Sequence, residues 1–335
     1  MWGLADLFYK MGTDEDDRYS HLKIGIWVGL VMGLFAFILM PFAETPVTFA
    51  SLITNAVKYA PASISYIISM IIGYAGLRYM EVSIISPIQN SSGGLACLAM
   101  GIYFVLSGTF GSLFEEFSVI EIGGTAIIFV GIIALSFVEQ QYSNEYNLEH
   151  GSVAQAQANS TQTPQSQKAQ SQTASARTVQ SEPRKYRMGV LAFVFPICYC
   201  IFDTIGTAAD GIILDETTGL GLGEIDILIL YGLTFFITAI ICWLFILIKT
   251  GKPYNPFTRR EITRKGIAAL SEEGGQIFYV YAMAANPMMA APIISAYCGV
   301  SIILSRIFLK EKLSKAHYAC LIAVLIGIVI MGFAE

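Results

Sequence analysis

With 335 residues, 55% of them hydrophobic and only 13% charged, the chain holds about half the charge of an ordinary soluble domain. Together with a mean hydropathy of +0.61, this argues against a soluble globular protein and for repeated membrane spans. The net charge of −5 decides little, because the placement of lysine and arginine, not their sum, orients a membrane protein.

The chain opens on an apolar segment, 1–12, that is too short to cross a bilayer. A spanning helix needs about 20 residues, at about 1.5 Å each, to cover roughly 30 Å. An acidic turn, Asp14-Glu15-Asp16-Asp17, follows. The next span, about 22–42, carries Gly25, Gly29 and Gly33 at four-residue spacing, which predicts a close-packing face for a neighbouring helix. After an amphipathic connection come spans at about 61–79 and 82–106, the latter holding Pro87, Gln89, Asn90 and the run Ser91-Ser92-Gly93-Gly94. A fifth lies at about 119–138. Residues 139–187 are rich in Gln, Ser, Ala and Thr and cannot bury enough apolar surface to fold, so a disordered linker is expected. Five more spans are expected at about 188–209, 225–248, 266–284, 289–309 and 316–333. The expected fold is therefore an all-α integral membrane protein of about ten helices, the first of them short.

The two halves, 1–138 and 188–335, read as repeats. Setting Pro87 on Pro292 also matches the following isoleucines, Gly94 with Gly299, and Tyr74 with Tyr279. Setting Gly131 on Gly327 aligns GIIALSFVE with GIVIMGFAE. Five spans is an odd number, so the second repeat must enter the membrane inverted. Such repeats place a substrate site near the midplane, at their interface. Aligning Met11-Gly12-Thr13 with Ile205-Gly206-Thr207 sets Met1 opposite Phe195, inside span six. The first helix then either lacks its initial turns, as a late start codon would produce, or lies as a half-span at the interface.

The last 55 residues carry a more specific pattern. An Ala-, Pro- and Ser-rich helix runs into Phe308-Leu309-Lys310-Glu311-Lys312-Leu313-Ser314 and then into a glycine-containing closing helix. This resembles the EamA-type drug/metabolite transporter superfamily, whose last two helices are joined by a Gly-Glu-Arg-Leu-like hinge. Glu311 stands where that acid would be, and Lys310 replaces the usual glycine. The resemblance extends to the ten-span layout of nearly the whole chain. It implies secondary transport of a small metabolite or drug by alternating access and is silent on the substrate.

Polar groups inside spans mark candidate site residues, since an ionisable side chain there costs about 2.5–3.5 kcal/mol unless it faces a cavity or a partner. Asp203, Asp6, Glu272 and Glu273 are candidates to carry protons or contact substrate, with Gln276, Gln89 and Asn90 as hydrogen-bonding neighbours. Adjacent glutamates point about 100° apart on a helix, so one of the pair is expected to face the cavity. The glycines after them, Gly274 and Gly275, would let backbone approach a ligand. Each acid has a bland alternative, a headgroup position or a permanent ion pair. Lys10 and Arg78 fall at the depth of Glu272 and Glu273 and are candidate partners in a gate. Tyr74, Tyr279, Tyr281 and Tyr297 either line a cavity or pack, and His21 and His317 are expected to be solvated beside loops.

The six cysteines all fall in apolar runs, which predicts packing rather than disulfides or a zinc site. No nucleotide-binding loop, metalloprotease helix or serine nucleophile motif occurs, so no enzyme activity, metal or cofactor is expected, and transport would be ion-coupled or by exchange. The implied partners are a small-molecule substrate and the bilayer, with a homodimer allowed and nucleic acid not. A membrane sensor or scaffold is the alternative reading. Basic residues gather in the linker, in 249–265 and in 310–315, which predicts that these connections share the cytoplasmic side of the cell membrane.

Overall fold

A computed structural model describes residues 1–109, 120, 123–128, 130–135, 137, 138, 141, 189–214, 219–311 and 313–333. The span expected at 119–138 is thus described only in part, and the linker expected at 139–187 lies, apart from residue 141, outside the described residues. Among the described residues all regular structure is helical. The segments are α1 (Trp2–Gly12), α2 (Ser20–Leu39), α3 (Phe49–Gly76), α4 (Val82–Asn90), α5 (Ser92–Leu106), α6 (Val194–Leu214), α7 (Glu224–Thr250), α8 (Ile267–Ala285), α9 (Pro287–Ser295), α10 (Cys298–Leu304) and α11 (Lys315–Phe333).

Among the described residues five stretches are long and apolar enough to cross a membrane: Ser20–Phe42, Phe49–Gly76, Leu191–Leu214, Glu224–Thr250 and Pro287–Leu309. Their outward faces expose large apolar side chains such as Leu34, Phe37, Ile38, Ile237, Ile241 and Ile248. A face of that kind suits hydrocarbon rather than water.

Several boundaries differ from those expected. The segment read as a connection before Pro61 is the first part of α3. Its start is fixed by a capping box, in which Thr48 Oγ1 accepts from the Ser51 N–H at 3.1 Å and Ser51 Oγ accepts from the Thr48 N–H at 2.9 Å. Pro61 consequently lies inside a helix, which neighbouring helices make tolerable. The expected span 82–106 is broken at Ser91, and the expected span 289–309 is broken at Ala296 and Tyr297. In the first break the Ser91 N–H and hydroxyl both bond the Pro87 carbonyl, at 3.2 and 2.8 Å. In the second, Ala296 and Tyr297 donate to Ile293 and Ile294, the tight i to i−3 pattern.

Packing centres on α2 against α7, α3 against α6, and α1 against α8 and α10. The expected glycine face of α2 is present. A Cβ on Gly29 would collide with the Phe235 carbonyl oxygen and come within 2.6 Å of the Ala239 Cβ, while Gly33 meets Phe236 and Gly25 meets Ile71 of α3. The arrangement is reciprocal, because Gly232 of α7 meets the Met32 carbonyl and the Ala36 Cβ of α2. The short helix α1 is threaded into the bundle with Gly3, Ala5, Leu7, Tyr9 and Gly12 buried, unlike a helix lying flat on an interface.

One end of the bundle gathers the ends of α1 and α3 and the starts of α2, α4 and α8. Lys10 of α1 reaches the carbonyls of Leu77 and Met80, and Arg264, just before α8, reaches the Met11 carbonyl at 3.1 Å. Glu311 caps α4 from across the chain, accepting from the N–H groups of Val82 and Ser83, both at 3.0 Å, and from the Ser83 hydroxyl at 2.6 Å. A carboxylate there satisfies donors that a helix start leaves open and opposes the positive end of the helix dipole. His317 is 1% exposed, not solvated as expected, because it sits in the first turn of α11 with Ser314 Oγ 2.8 Å from its Nδ1. The six cysteines are free, and all but Cys198 are buried.

Candidate functional site

A cavity runs between the helices, enclosing about 780 Å³ of empty space with its open part included. Helical periodicity builds its walls. Trp2, Asp6 and Tyr9 form one stripe of α1, and Glu272, Gln276 and Tyr279 form the same kind of stripe on α8. From α6 come Tyr199, Asp203, Thr207 and Asp210, and from α3 Tyr66, Met70, Gly73 and Tyr74. The two breaks contribute as well: Gln89, Asn90, Ser92 and Gly93 from the first, Ala291, Ile294, Ser295 and Tyr297 from the second. Gly93 is required where α5 and α9 cross, because a side chain there would overlap Ser295 Oγ and the Ala291 carbonyl.

Among the described residues four carboxylates line the cavity, and each is held by hydroxyls. Asp6 accepts from Ser86 and Ser301, both at 2.7 Å, tying α1 to α4 and α10. Asp203 accepts from Ser92 at 2.5 Å. Glu272 accepts from Tyr66 at 2.5 Å and from Tyr9 at 3.1 Å, and Tyr74 donates onward to the Tyr9 oxygen at 3.3 Å. Asp210, 1% exposed, accepts from Tyr59, Tyr231 and Tyr279, the last at 2.9 Å. Networks of this kind fix side chains firmly because an unmet polar group in low dielectric is costly.

Of the residues singled out from sequence, Asp6, Asp203, Glu272, Gln276, Gln89 and Asn90 share this one cavity. Glu273 is buried but turned away from it, as expected for the neighbour of Glu272. Asn90 spends its amide on Ser86, donating to the carbonyl at 2.8 Å and to the hydroxyl at 3.2 Å. Tyr74, Tyr279 and Tyr297 line the cavity, whereas Tyr281 is exposed. Gly274 and Gly275 do not bring backbone to a ligand. Their missing side chains make room for Met1 and for the Trp2 indole, whose Nε1 donates to the Glu272 carbonyl at 3.2 Å.

The structure does not bring Lys10 or Arg78 to the glutamates. Lys10 serves the carbonyl end of α3, where a cation is favoured by open acceptors and the helix dipole, and Arg78 donates to the Arg18 and Glu15 carbonyls at 3.2 and 2.8 Å.

Asp210 escaped the sequence reading because span six was ended at residue 209, which left it in a loop; α6 continues to Leu214. Its signal was its spacing, seven residues beyond Asp203 and thus on the same helix face. Tyr9, Tyr66 and the serine donors carried no comparable mark, since tyrosine and serine are common in spans for packing alone.

Charged contacts occupy the end of the bundle near the start of α2. Asp17 pairs with Lys23 at 2.6 Å, and Glu261 pairs with Lys265 while accepting from the Tyr254 hydroxyl at 2.5 Å. Partial burial works against ionisation of Asp17, but Lys23 and the Tyr19 N–H outweigh it and hold the carboxyl below its ordinary 3.8. Glu261 is likewise opposed by burial yet held below 4.5 by Lys265 and Tyr254. Burial draws Lys265 down from 10.5 despite its pairing.

No protein-family model and no curated protein sequence matches the chain.

Proposed function

We propose that the chain is a secondary-active transporter of the EamA-like layout, built of two inverted five-helix repeats and moving a small metabolite or drug by alternating access. The observation that carries this reading is a polar cavity walled by α1, α3, α4 and α5 from one half of the chain and by α6 to α9, with Tyr297 of the break after α9, from the other.

Exchanging the two halves also exchanges their contacts, which supports the repeat. The packing of α3 on α6 answers that of α8 on α1, α5 on α6 answers α10 on α1, and α5 on α9 answers α10 on α4. One register shift sets Gly29 on Gly232, Met32 on Phe235 and Ala36 on Ala239, the residues that meet at the α2–α7 crossing. The alignment of Pro87 with Pro292 sets the break at Ser91 on the break at Ala296. Interrupted helices at matching positions of two halves are the usual place for a transport site. In this reading the protein lies in the cell membrane, with 249–265 and the linker on the cytoplasmic side and ion coupling or exchange supplying the drive.

Counterflow tests the proposal. Liposomes containing the purified chain would be loaded with unlabelled amines, amino acids, sugars and nucleosides, and entry of each labelled species measured. Saturable entry of at least one is expected, with Asp203→Asn and Glu272→Gln lowering it more than about tenfold while the protein stays monodisperse. If no species exchanges, and both variants leave the protein's behaviour in cells untouched, a sensor or scaffold role replaces transport.

A further inference from the structure

The cavity is chemically one-sided. Among the described residues it holds Asp6, Asp203, Asp210 and Glu272 but no lysine, arginine or histidine. The hydrogen bonds to these acids come from serine and tyrosine hydroxyls, and none is in a salt bridge among the described residues. Four carboxylates enclosed together are costly to ionise without a positive partner, and the nearby cations Lys10 and Arg78 are turned to backbone carbonyls.

A second, independent feature is the Gln276 amide. The side chain is 1% exposed and lies in the cavity wall, and its Nε2 has no hydrogen-bond partner. Buried amides are rarely left open, so an occupant that hydrogen-bonds there is the natural complement. Whichever way the amide is turned, an oxygen bearing both lone pairs and a proton would satisfy it. A third feature is aromatic. The Trp2 ring lies 5.4 Å from Tyr279 and 5.5 Å from Tyr297, centroid to centroid, and ring faces attract organic ammonium groups.

We propose that the cavity binds a small organic ammonium ion that also carries a hydroxyl group, its charge set against the carboxylates and rings and its oxygen against Gln276. An anion would add negative charge beside four acids with no cation in the wall to offset it. A neutral sugar would leave the acids uncompensated. A bare metal ion suits the site poorly, since no three His, Cys, Asp or Glu side chains converge among the described residues. Calling the bound ion cargo rests on the transport reading; its binding does not.

The purified full chain in detergent, followed by thermal shift and tryptophan fluorescence, tests this with choline, ethanolamine, tetramethylammonium, glucose, glucose 6-phosphate and magnesium chloride. Choline or ethanolamine should stabilise saturably. Glu272→Gln and Asp203→Asn should each weaken that binding roughly tenfold. Gln276→Leu should abolish the preference for choline over tetramethylammonium, a readout that survives if an acid variant fails to fold. Stabilisation by glucose, glucose 6-phosphate or magnesium that equals or exceeds that by the amines overturns the proposal, as does the absence of any amine effect at millimolar concentration. In proteoliposomes, amine binding without counterflow of any labelled species, choline included, would leave this assignment standing and remove the transport reading. Counterflow of labelled glucose but of no amine would do the reverse.

Discussion

Asp210 is firmly braced in the molecule's interior, because three tyrosines from α3, α7 and α8 donate to its two oxygens. An amide in its place offers one good acceptor where the carboxylate offers two, and hydrogen bonds to a neutral group are weaker. Asp210→Asn should therefore cost about 1–3 kcal/mol. Thermal unfolding in detergent would measure this, and an unchanged midpoint would show that the three tyrosines find equivalent partners elsewhere. The charged contacts at the bundle's end give a second prediction at this scale. The folded values of Asp17 and Glu261 lie below their ordinary 3.8 and 4.5. The stability they contribute is thus present above those ordinary values and is lost as pH falls through the lower, folded ones. The difference in stability between the native chain and the double variant Asp17→Asn, Glu261→Gln should be constant from pH 7 to about 5 and shrink below about pH 4. The effect is small, since both pairs are partly open to solvent; a difference unchanged down to pH 3 would contradict it.

Among elements, the α2–α7 crossing makes the strictest demand on sequence. The Cβ of any residue at position 29 would strike a backbone oxygen, which cannot swing aside as a side chain can. Gly29→Leu should separate the helices and cost about 1–3 kcal/mol or more. Gly299→Ala is the matched control, because its nearest neighbour, Leu325 Cδ2, is 3.7 Å away. Equal recovery of monodisperse protein for both variants would mean that the crossing is not as tight as drawn. The glycine spacing that announces this crossing is plain in the sequence, and so are the spans of α2 and α7, where long apolar runs carry no charged residue between their ends. What the sequence hides is where a run breaks or extends. Nothing in 82–106 separates a proline kink from a break at Ser91, because the break is stabilised by a local serine bond and by Gly93 fitting against α9. The early start of α3 turns on the Thr48–Ser51 box, which is short and polar in a stretch that otherwise reads as a connection.

For the molecule as a whole, the candidate site was legible to the extent that buried charge is legible: Asp6, Asp203, Glu272 and Gln276 converge, while Lys10 and Arg78 go elsewhere. Charge alone says that a group needs a partner. It does not say that the partner will be a carbonyl at a helix end rather than a glutamate. Topology supplies the remaining prediction. The ring stack of Tyr79, beyond α3, on Phe195, in α6, at 5.2 Å sets the start of α6 beside the end of α3. The Arg264 contact sets 249–265 at that end too. Cysteines placed singly at Ser160 and at Thr258 should therefore label from the same side in intact cells, and labelling from opposite sides would refute the ten-span inverted reading.

The reciprocal glycines of α2 and α7 also bear on how the chain is made. Each helix presents a face that only the other fills, yet about 200 residues of synthesis separate them, or roughly 10–40 s on the ribosome at typical elongation rates. On the proposed membrane reading, α2 spends that interval with its small-residue face against lipid or against the insertion machinery. Assembly of the cavity is consequently a late, post-insertion event, and a chain cut within the linker, with both pieces made together, loses none of the surfaces that must meet.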